Sequence, residues 1–127
     1  MSFQPSMKPS STQTPLRMGA KPLVVIESPF AAPEERGRIA NRTYAGEALY
    51  HSIENGEAPF AGHLLYTQVL DDFIPEERAL GIALHIEYLR RCDLVAVYTD
   101  RGISPGMRDA IEIANRLGKP VTYRVLK

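Results

Sequence analysis

Two short polar segments carry the side chains of this 127-residue chain that are best suited to bind and act on a ligand. Residues 27–30 directly follow one apolar run, and residues 99–107 follow another. Carboxylates such as those of Glu27 and Asp100 can attack an electrophilic carbon or move a proton. The second segment also runs into Ser104-Pro105, a helix start whose free backbone amides favour an anion or a hydroxyl group. The pattern therefore predicts a site for a polar small molecule.

Apolar, β-branched runs predict the strands that must position these segments. Residues 23–26 and 94–98 are continuous runs, typical of strands buried on both faces. Residues 58–62 predict a short, weaker strand, and residues 120–125 predict the last strand. Because the strands alternate with helices, an α/β fold with a parallel sheet and right-handed crossovers is expected. We predict a small, doubly wound, flavodoxin- or Rossmann-like sheet of four parallel strands in the order 2-1-3-4, with three helices.

The three helices are predicted from apolar residues at helical spacing. They begin near Pro33, near Pro75 and at Ser104-Pro105, and Asn55-Gly56 and Gly118 are stop signals. The expected buried faces are Ile39, Ala40, Tyr44, Ala45, Ala48, Leu49 and Ile53 in the first helix, Ala79, Ile82, Ala83, Ile86 and Leu89 in the second, and Met107, Ala110, Ile111, Ala114 and Leu117 in the third.

The composition disfavours several classes of protein. Fifteen Lys and Arg balance fifteen Asp and Glu, which removes the electrostatic argument for a nucleic-acid polymer or an anionic membrane as partner. The single cysteine, Cys92, cannot form an internal disulfide, and no apolar run approaches the ~18 residues of a membrane span. Residues 1–22, rich in proline and without an apolar period, predict a disordered tail before one domain at residues 23–127. A cytoplasmic protein is expected.

The predicted strand order places the ligand. In open α/β sheets, ligands bind beyond the carboxyl ends of the strands where the winding reverses, here between strands one and three. The sequence has neither the Gly-x-Gly-x-x-Gly fingerprint of dinucleotide-binding enzymes nor the glycine- and lysine-containing phosphate loop of NTPases. His51, His63 and His85 lack metal-ligand spacing, so neither a metal nor a cofactor is predicted.

Four segments in the same order carry a resemblance to a known superfamily: residues 27–30, 62–68, 74–82 and 98–107. From Leu23 to Lys127 the chain resembles small phage-encoded proteins of the nucleoside 2-deoxyribosyltransferase-like superfamily. The resemblance implies a nucleoside or nucleotide as the small-molecule partner. It also implies a homo-oligomer, because enzymes of this superfamily commonly complete their sites across subunits.

The resemblance further implies roles for individual positions. Enzymes of the superfamily use a Glu in the first turns of the helix after strand three to attack the anomeric carbon, and an Asp in the preceding loop handles the base. Asp100 matches that Asp, and Ser28 matches a sugar or base contact after strand one. The attacking Glu should fall near position 108 or 110, where this chain has Arg108 and Ala110.

Three acids are therefore the predicted catalytic residues: Asp100, Glu27 and Glu112. Glu27 ends a buried strand, where a carboxylate needs a partner or a solvated cleft, and it is a candidate to replace the missing Glu. A structural salt bridge with an arginine is the alternative. Glu112 points away from the apolar face of its helix, and pairing with Arg108 at i, i+4 is the alternative for that residue.

Nine further residues are predicted to contact the ligand: Ser28, Pro29, Phe30, His63, Tyr66, Gly102, Ser104, Gly106 and Met107. Structural roles are the alternatives for several of them, namely helix capping by Ser104, loop packing by His63 and a core position for Tyr66.

Two functions follow from these residues and the resemblance. The first is cleavage or transfer at an N-glycosidic bond. The second is a non-catalytic phage protein that binds and sequesters a nucleotide-derived signal, related to ADP-ribose or a cyclic nucleotide. The absence of Glu at both 108 and 110 favours the second, and a structural protein with a vestigial pocket is a third reading.

Overall fold

The computed structural model describes residues 20–127, whose strands form a four-stranded sheet. The strands are β1 (Leu23–Glu27), β2 (Ala58–Phe60), β3 (Leu94–Tyr98) and β4 (Val121–Arg124). All neighbours pair in parallel, and the spatial order is β2-β1-β3-β4. The predicted sheet and strand order are therefore confirmed. The predicted tail at residues 1–22 lies almost wholly outside the described residues.

The carboxyl ends of β1 and β3 lie side by side. Glu27, the last residue of β1, is in register with Val97 of β3. Because β2 lies beyond β1 and β4 lies beyond β3, the winding of the chain reverses between the two central strands. The turns after β1 and β3 consequently start from the same edge of the sheet.

The helices are α1 (Glu35–Glu54), α2 (Gly62–Leu65), α3 (Pro75–Arg91) and α4 (Pro105–Arg116). Three of them, α1, α3 and α4, are the helices that the sequence predicts. The short α2 and a 3-10 turn at Tyr66–Gln68 occupy the stretch predicted as a loop after the second strand. As a result β2 ends at Phe60 rather than at Gly62.

The helix ends follow the predicted local signals. The Oγ atom of Ser104 accepts a hydrogen bond of 3.2 Å from the backbone N–H of Met107 and so caps α4. Gly56 and Gly118 follow α1 and α4 with φ angles of 81° and 72°. Only glycine adopts this left-handed conformation at little cost, which explains both terminations.

The sheet is buried on both faces, as its continuous apolar strands predict. On one face Val25 and Val97 pack with Leu89 of α3 and Met107 of α4. On the other face Val24, Ile26, Ala96 and Tyr98 pack with Tyr44 and Ala48 of α1.

The predicted buried face of α1 is wrong at its two ends. Ile39 and Ile53 are exposed, whereas Asn41 and Ser52 are buried. Both polar side chains are satisfied where they lie. The Nδ2–H of Asn41 donates to the carbonyl oxygen of Phe30 at 3.0 Å, and Ser52 donates to Glu57 at 2.6 Å.

The predicted face of α3 is also partly wrong. Leu89 is buried as expected, but Ala79, Ile82 and Ala83 are exposed. The helix turns His85 toward the sheet instead, because the imidazole of His85 makes a polar contact with the end of β1.

Candidate functional site

A cavity of about 390 Å³ opens at the carboxyl edge of the sheet. Its walls come from the turn after β1, from α2 and α3, and from the first turns of α4. The volume lies within the ~300–1,000 Å³ that is typical of small-molecule sites. The predicted site residues that line the cavity are Glu27, Phe30, His63, Tyr66, Ser104, Gly106 and Met107. The structure thus brings together the two segments that the sequence singles out.

A buried carboxylate–imidazole pair forms the inner end of this cavity. Glu27 is 2% exposed, and its Oε2 accepts a hydrogen bond of 2.6 Å from Nε2 of His85. A buried carboxylate is stable only when it is paired or well hydrated, so His85 explains how β1 can end in an acid. The predicted alternative partner, an arginine, is replaced here by a histidine.

Burial and the charge of Glu27 act against each other on both histidines in the cavity. Burial alone lowers the pKa of His85, but the hydrogen bond and the negative charge of Glu27 outweigh burial and raise it. Burial also lowers the pKa of His63, and here the attraction of Glu27 is too weak to reverse the effect. His85 is therefore the more readily protonated of the two rings, and His63 is the more readily neutral.

Aromatic rings form one wall of the cavity. The rings of Phe30 and His63 are stacked with centroids 4.9 Å apart, and His63 and His85 are nearly parallel with centroids 6.3 Å apart. Phe60 lies behind His85 and outside the cavity lining, with centroids 6.1 Å apart and the two planes at 29°. Flat, parallel rings of this kind offer a stacking surface to a planar heterocycle.

Gly62, the first residue of α2, makes room for His85. A Cβ atom at position 62 would lie 2.8 Å from Nδ1 of His85, closer than a real contact allows. We expect Gly62→Ala to displace the imidazole from Glu27 and to lower the free energy of unfolding by about 1–3 kcal/mol, as overpacking does. Urea denaturation measures the change.

Gly46 is the matched control for that prediction. A Cβ atom at position 46 of α1 would meet nothing within 4 Å, and alanine is the better helix former. Gly46→Ala should therefore raise stability by about 0.5–1 kcal/mol. Equal effects of the two substitutions would show that Gly62 does not hold the histidine in place.

Charged side chains lie in the outer part of the cavity. Arg78 of α3 pairs with Asp72 at 3.1 Å, and both residues belong to the lining. Asp109 of α4 is also in the lining. Together with Glu27 they give the cavity several carboxyl groups, with the guanidinium of Arg78 as a potential ligand for an anion.

The first turn of α4 lines the cavity, and its helix cap lies in the same place. Ser104 caps the helix through the N–H of Met107, as described above, and it also lines the cavity. Gly106 lies in the same first turn, with open space where a Cβ atom would stand. Capping therefore does not exclude Ser104 from a ligand site.

Three predicted contact residues are not in the lining: Ser28, Pro29 and Gly102. Ser28 is fully buried directly after Glu27. Gly102 has a φ angle of 85° and shapes the turn after β3. These residues set the course of the two loops without facing the cavity.

Asp100 lies outside this cavity, so the expectation that it meets Glu27 there is wrong. Its Oδ1 accepts a hydrogen bond of 2.7 Å from the hydroxyl of Tyr44 and one of 2.9 Å from the N–H of Leu126. The Tyr44 hydroxyl and the backbone donors hold the pKa of Asp100 below its usual range. Asp100 ties α1 and the last residues to the end of β3, beside a separate open cleft of about 670 Å³.

Glu112 also lies away from the cavity. It is exposed on α4 and pairs with Arg116 at 3.0 Å, rather than with Arg108 as the sequence suggested. Since Glu112 is on the solvent side of an amphipathic helix, it does not reach a ligand in the cavity. Ala110, in contrast, is in the lining, and Arg108 is not.

His85 is the main residue of the site that the sequence did not predict. The available signal was the spacing of Arg78, Gly81, His85 and Leu89, which places them along one side of a helix. All four line the cavity. Because Arg78 and His85 are polar and position 81 is glycine, apolar periodicity does not reveal this side of the helix.

The described residues lack what a metal site and a membrane-spanning helix require. Among residues 20–127, no three His, Cys, Asp or Glu side chains are grouped so that they could hold a metal ion. Within the same range, no helix has the length and apolarity needed to traverse a bilayer.

The fold is shared with a solved nucleoside-processing enzyme. The chain is similar to the 2-deoxyribosyltransferase from the psychrotolerant bacterium Bacillus psychrosaccharolyticus, with a TM-score of 0.64 and 16% sequence identity. The similarity covers 81% of this chain and 72% of that chain. At this identity the likeness establishes the α/β fold alone.

The sequence itself identifies the family. Residues 22–124 match the family described as Domain of unknown function (DUF7768), and the chain belongs to that family. No curated protein matches the chain in sequence.

Proposed function

We propose that this protein binds a nucleoside or nucleotide in the cavity at the ends of β1 and β3 and acts on its N-glycosidic bond. The observation that carries the proposal is the buried Glu27–His85 pair, with Nε2 and Oε2 2.6 Å apart, next to a wall of parallel aromatic rings. A sugar-linked heterocycle needs both parts: a flat surface for the base and a carboxylate near the sugar.

The wall of rings supports a base-binding role for Phe30 and His63, and Tyr66 lines the same cavity. The ring stack of Phe30 and His63 is apolar on its faces, and burial lowers the pKa of His63, so its ring favours the neutral form. A neutral imidazole can both stack and exchange a hydrogen bond with a base. Ser104 and Gly106 present the first turn of α4 to the same space.

Glu27 is the proposed nucleophile. Its carboxylate oxygen forms a bond to the anomeric carbon as the bond from that carbon to the base nitrogen breaks, and the electron pair leaves with the base. The departing base takes up a proton, which His85 can carry because Glu27 raises the pKa of His85. Water or a second base then displaces Glu27 from the sugar and gives up its proton to His85, which restores both the carboxylate and the protonated imidazole.

Capture without turnover is the second candidate function. Position 110, where the superfamily resemblance implies an attacking Glu, is Ala110, and this residue is part of the cavity lining. Asp100 and Glu112 lie elsewhere. A phage protein with such a cavity would sequester a nucleotide-derived signal, and Arg78 in the lining suits a phosphate group.

The test compares the protein with Glu27→Gln and with Glu87→Gln, a matched change at an exposed residue of α3 outside the cavity lining. Each is incubated with nucleosides and deoxynucleoside monophosphates, free base is measured by chromatography, and ligand stabilisation by thermal shift. Free base should form with the unchanged protein and with Glu87→Gln, and should fall at least about 100-fold with Glu27→Gln.

The outcomes separate the two functions. Stabilisation that needs Glu27, with the ligand recovered unchanged, supports capture and contradicts catalysis. Absence of both stabilisation and free base for every ligand would overturn the whole proposal.

We propose a phage-encoded homo-oligomer in the host cytoplasm, whose partner is a small molecule rather than a nucleic-acid polymer or a membrane. Self-association is supported by apolar side chains outside the cavity lining that a single chain leaves half exposed, including Leu80 on α3 and Tyr123 on β4.

A further inference from the structure

The two edges of the sheet differ in how well they are protected against pairing with a further strand. β2 forms one edge, and the middle one of its three residues, Pro59, has no N–H to offer another strand. β4 forms the other edge, and residues 121–125 contain neither proline nor lysine. Natural proteins usually blunt an edge strand with such residues, so β4 is the edge open to a further strand.

Along β4, the backbone N–H and C=O groups of every second residue point away from β3. The N–H of Val95 donates to Pro120, and the N–H of Thr99 donates to Arg124. Because hydrogen-bonding direction alternates along a strand, the groups of residues 120, 122 and 124 face β3. The N–H and C=O groups of Val121, Tyr123 and Val125 consequently point outward, and among residues 20–127 β4 pairs with β3 alone.

The sequence of this edge is self-complementary. Residues 121–125 read Val-Thr-Tyr-Arg-Val, so an antiparallel copy centred on Tyr123 places Val121 opposite Val125 and Thr122 opposite Arg124. Aromatic and β-branched pairs of this kind stabilise adjacent strands, and no like charges oppose each other. We propose that β4 pairs with β4 of a second copy of this chain, joining two sheets into one through a two-fold axis at Tyr123.

The exposure of the β4 side chains and the charge of Arg124 are compatible with pairing to a second copy of the chain. Tyr123 is 57% exposed and Val125 is 52% exposed, so both have apolar surface to cover. Arg124 is already neutralised by Glu57, with contacts of 2.9 and 2.7 Å, and it brings no unpaired charge to the contact. This inference gives the proposed self-association a defined surface, and it does not depend on any ligand.

Cysteine cross-linking tests the register, because Cys92 is the chain's single cysteine and is buried. In the proposed register the two copies of residue 123 face each other with Cα atoms about 5.5 Å apart, within reach of a disulfide. Tyr123→Cys should therefore form a covalent dimer under mild oxidation, seen on a non-reducing gel. Val121→Cys and Val125→Cys are matched controls, since each lies about 14 Å from its own copy and should not link.

A second variant keeps the test decisive if Tyr123→Cys fails to fold. The double variant Val121→Cys/Val125→Cys brings unlike positions of the two copies opposite each other and should link where each single change does not. Analytical ultracentrifugation of the unmodified protein should give the mass of more than one chain. The pairing would be overturned by a single-chain mass or by equal cross-linking of all variants. It would also be overturned by an oligomer in which neither Tyr123→Cys nor the double variant links, and that result would place the contact elsewhere, for example on α3.

Discussion

Replacing His85 with alanine is expected to lower the free energy of unfolding by about 3–5 kcal/mol at neutral pH. The reason is the position of Glu27, which is 2% exposed and has its carboxylate bonded to His85. Without the imidazole the buried carboxylate loses its counter-charge and must either stay unpaired or take up a proton. Urea denaturation of His85→Ala measures the loss.

The double variant provides the control for that result. Glu27→Gln removes the charge that His85 neutralises, so Glu27→Gln/His85→Ala should be more stable than the sum of the two single changes predicts. Strict additivity would contradict a direct interaction between the two side chains.

The same pair predicts how stability depends on pH. The pKa of His85 is raised in the folded chain, so its contribution to stability is complete below the unfolded value of about 6.5. The contribution is then lost as the pH rises through the higher, folded pKa. The difference in stability between the unchanged protein and Glu27→Gln should shrink over that interval.

Ala110→Glu is expected to raise the release of free base from nucleosides by about tenfold or more. Ala110 is 7% exposed and lines the cavity, whereas Arg108, the other candidate position, does not. A carboxylate at position 110 would therefore enter the cavity from α4, in addition to the carboxylate of Glu27 at the end of β1. Chromatography of the released base measures the gain.

Ala110→Gln is the matched control, because it adds the same bulk without the charge. Both variants should lose some stability from overpacking the buried position, by about 1–3 kcal/mol. If Ala110→Glu releases no more base than Ala110→Gln, position 110 does not reach the reacting carbon, and the cavity is not arranged as proposed.

The sheet could be predicted because its signals are local. The continuous apolar runs of β1 and β3 are typical of strands covered on both faces, and alternation with helices predicts parallel pairing. The order 2-1-3-4, the commonest for a short doubly wound sheet, then gives the place where the winding reverses. The caps at Ser104 and Gly118 could be predicted for the same reason, since each acts on neighbouring residues.

The site could be predicted only in part because its key contact is non-local. Glu27 and His85 are 58 residues apart, and apolar periodicity places His85 outside the buried face of α3. The position of Asp100 differs from the prediction for a related reason: its turn starts at the expected edge, but its carboxylate accepts a hydrogen bond from Tyr44 of α1, on the other face of the sheet. The order of strands and helices along the chain predicts which edge of the sheet carries the site. It does not predict which side chains meet at that edge.

The three histidines allow the central claim to be tested at the residues themselves. His63 and His85 line the cavity, whereas His51 lies in the separate cleft beside Asp100. The measurement is an NMR titration of the imidazole signals with a nucleoside, each ring assigned by substitution. We predict that His63 and His85 shift together and saturate while His51 stays unchanged. A shift of His51 alone, or no shift of any ring at millimolar nucleoside, would contradict a nucleoside site built on Glu27 and His85.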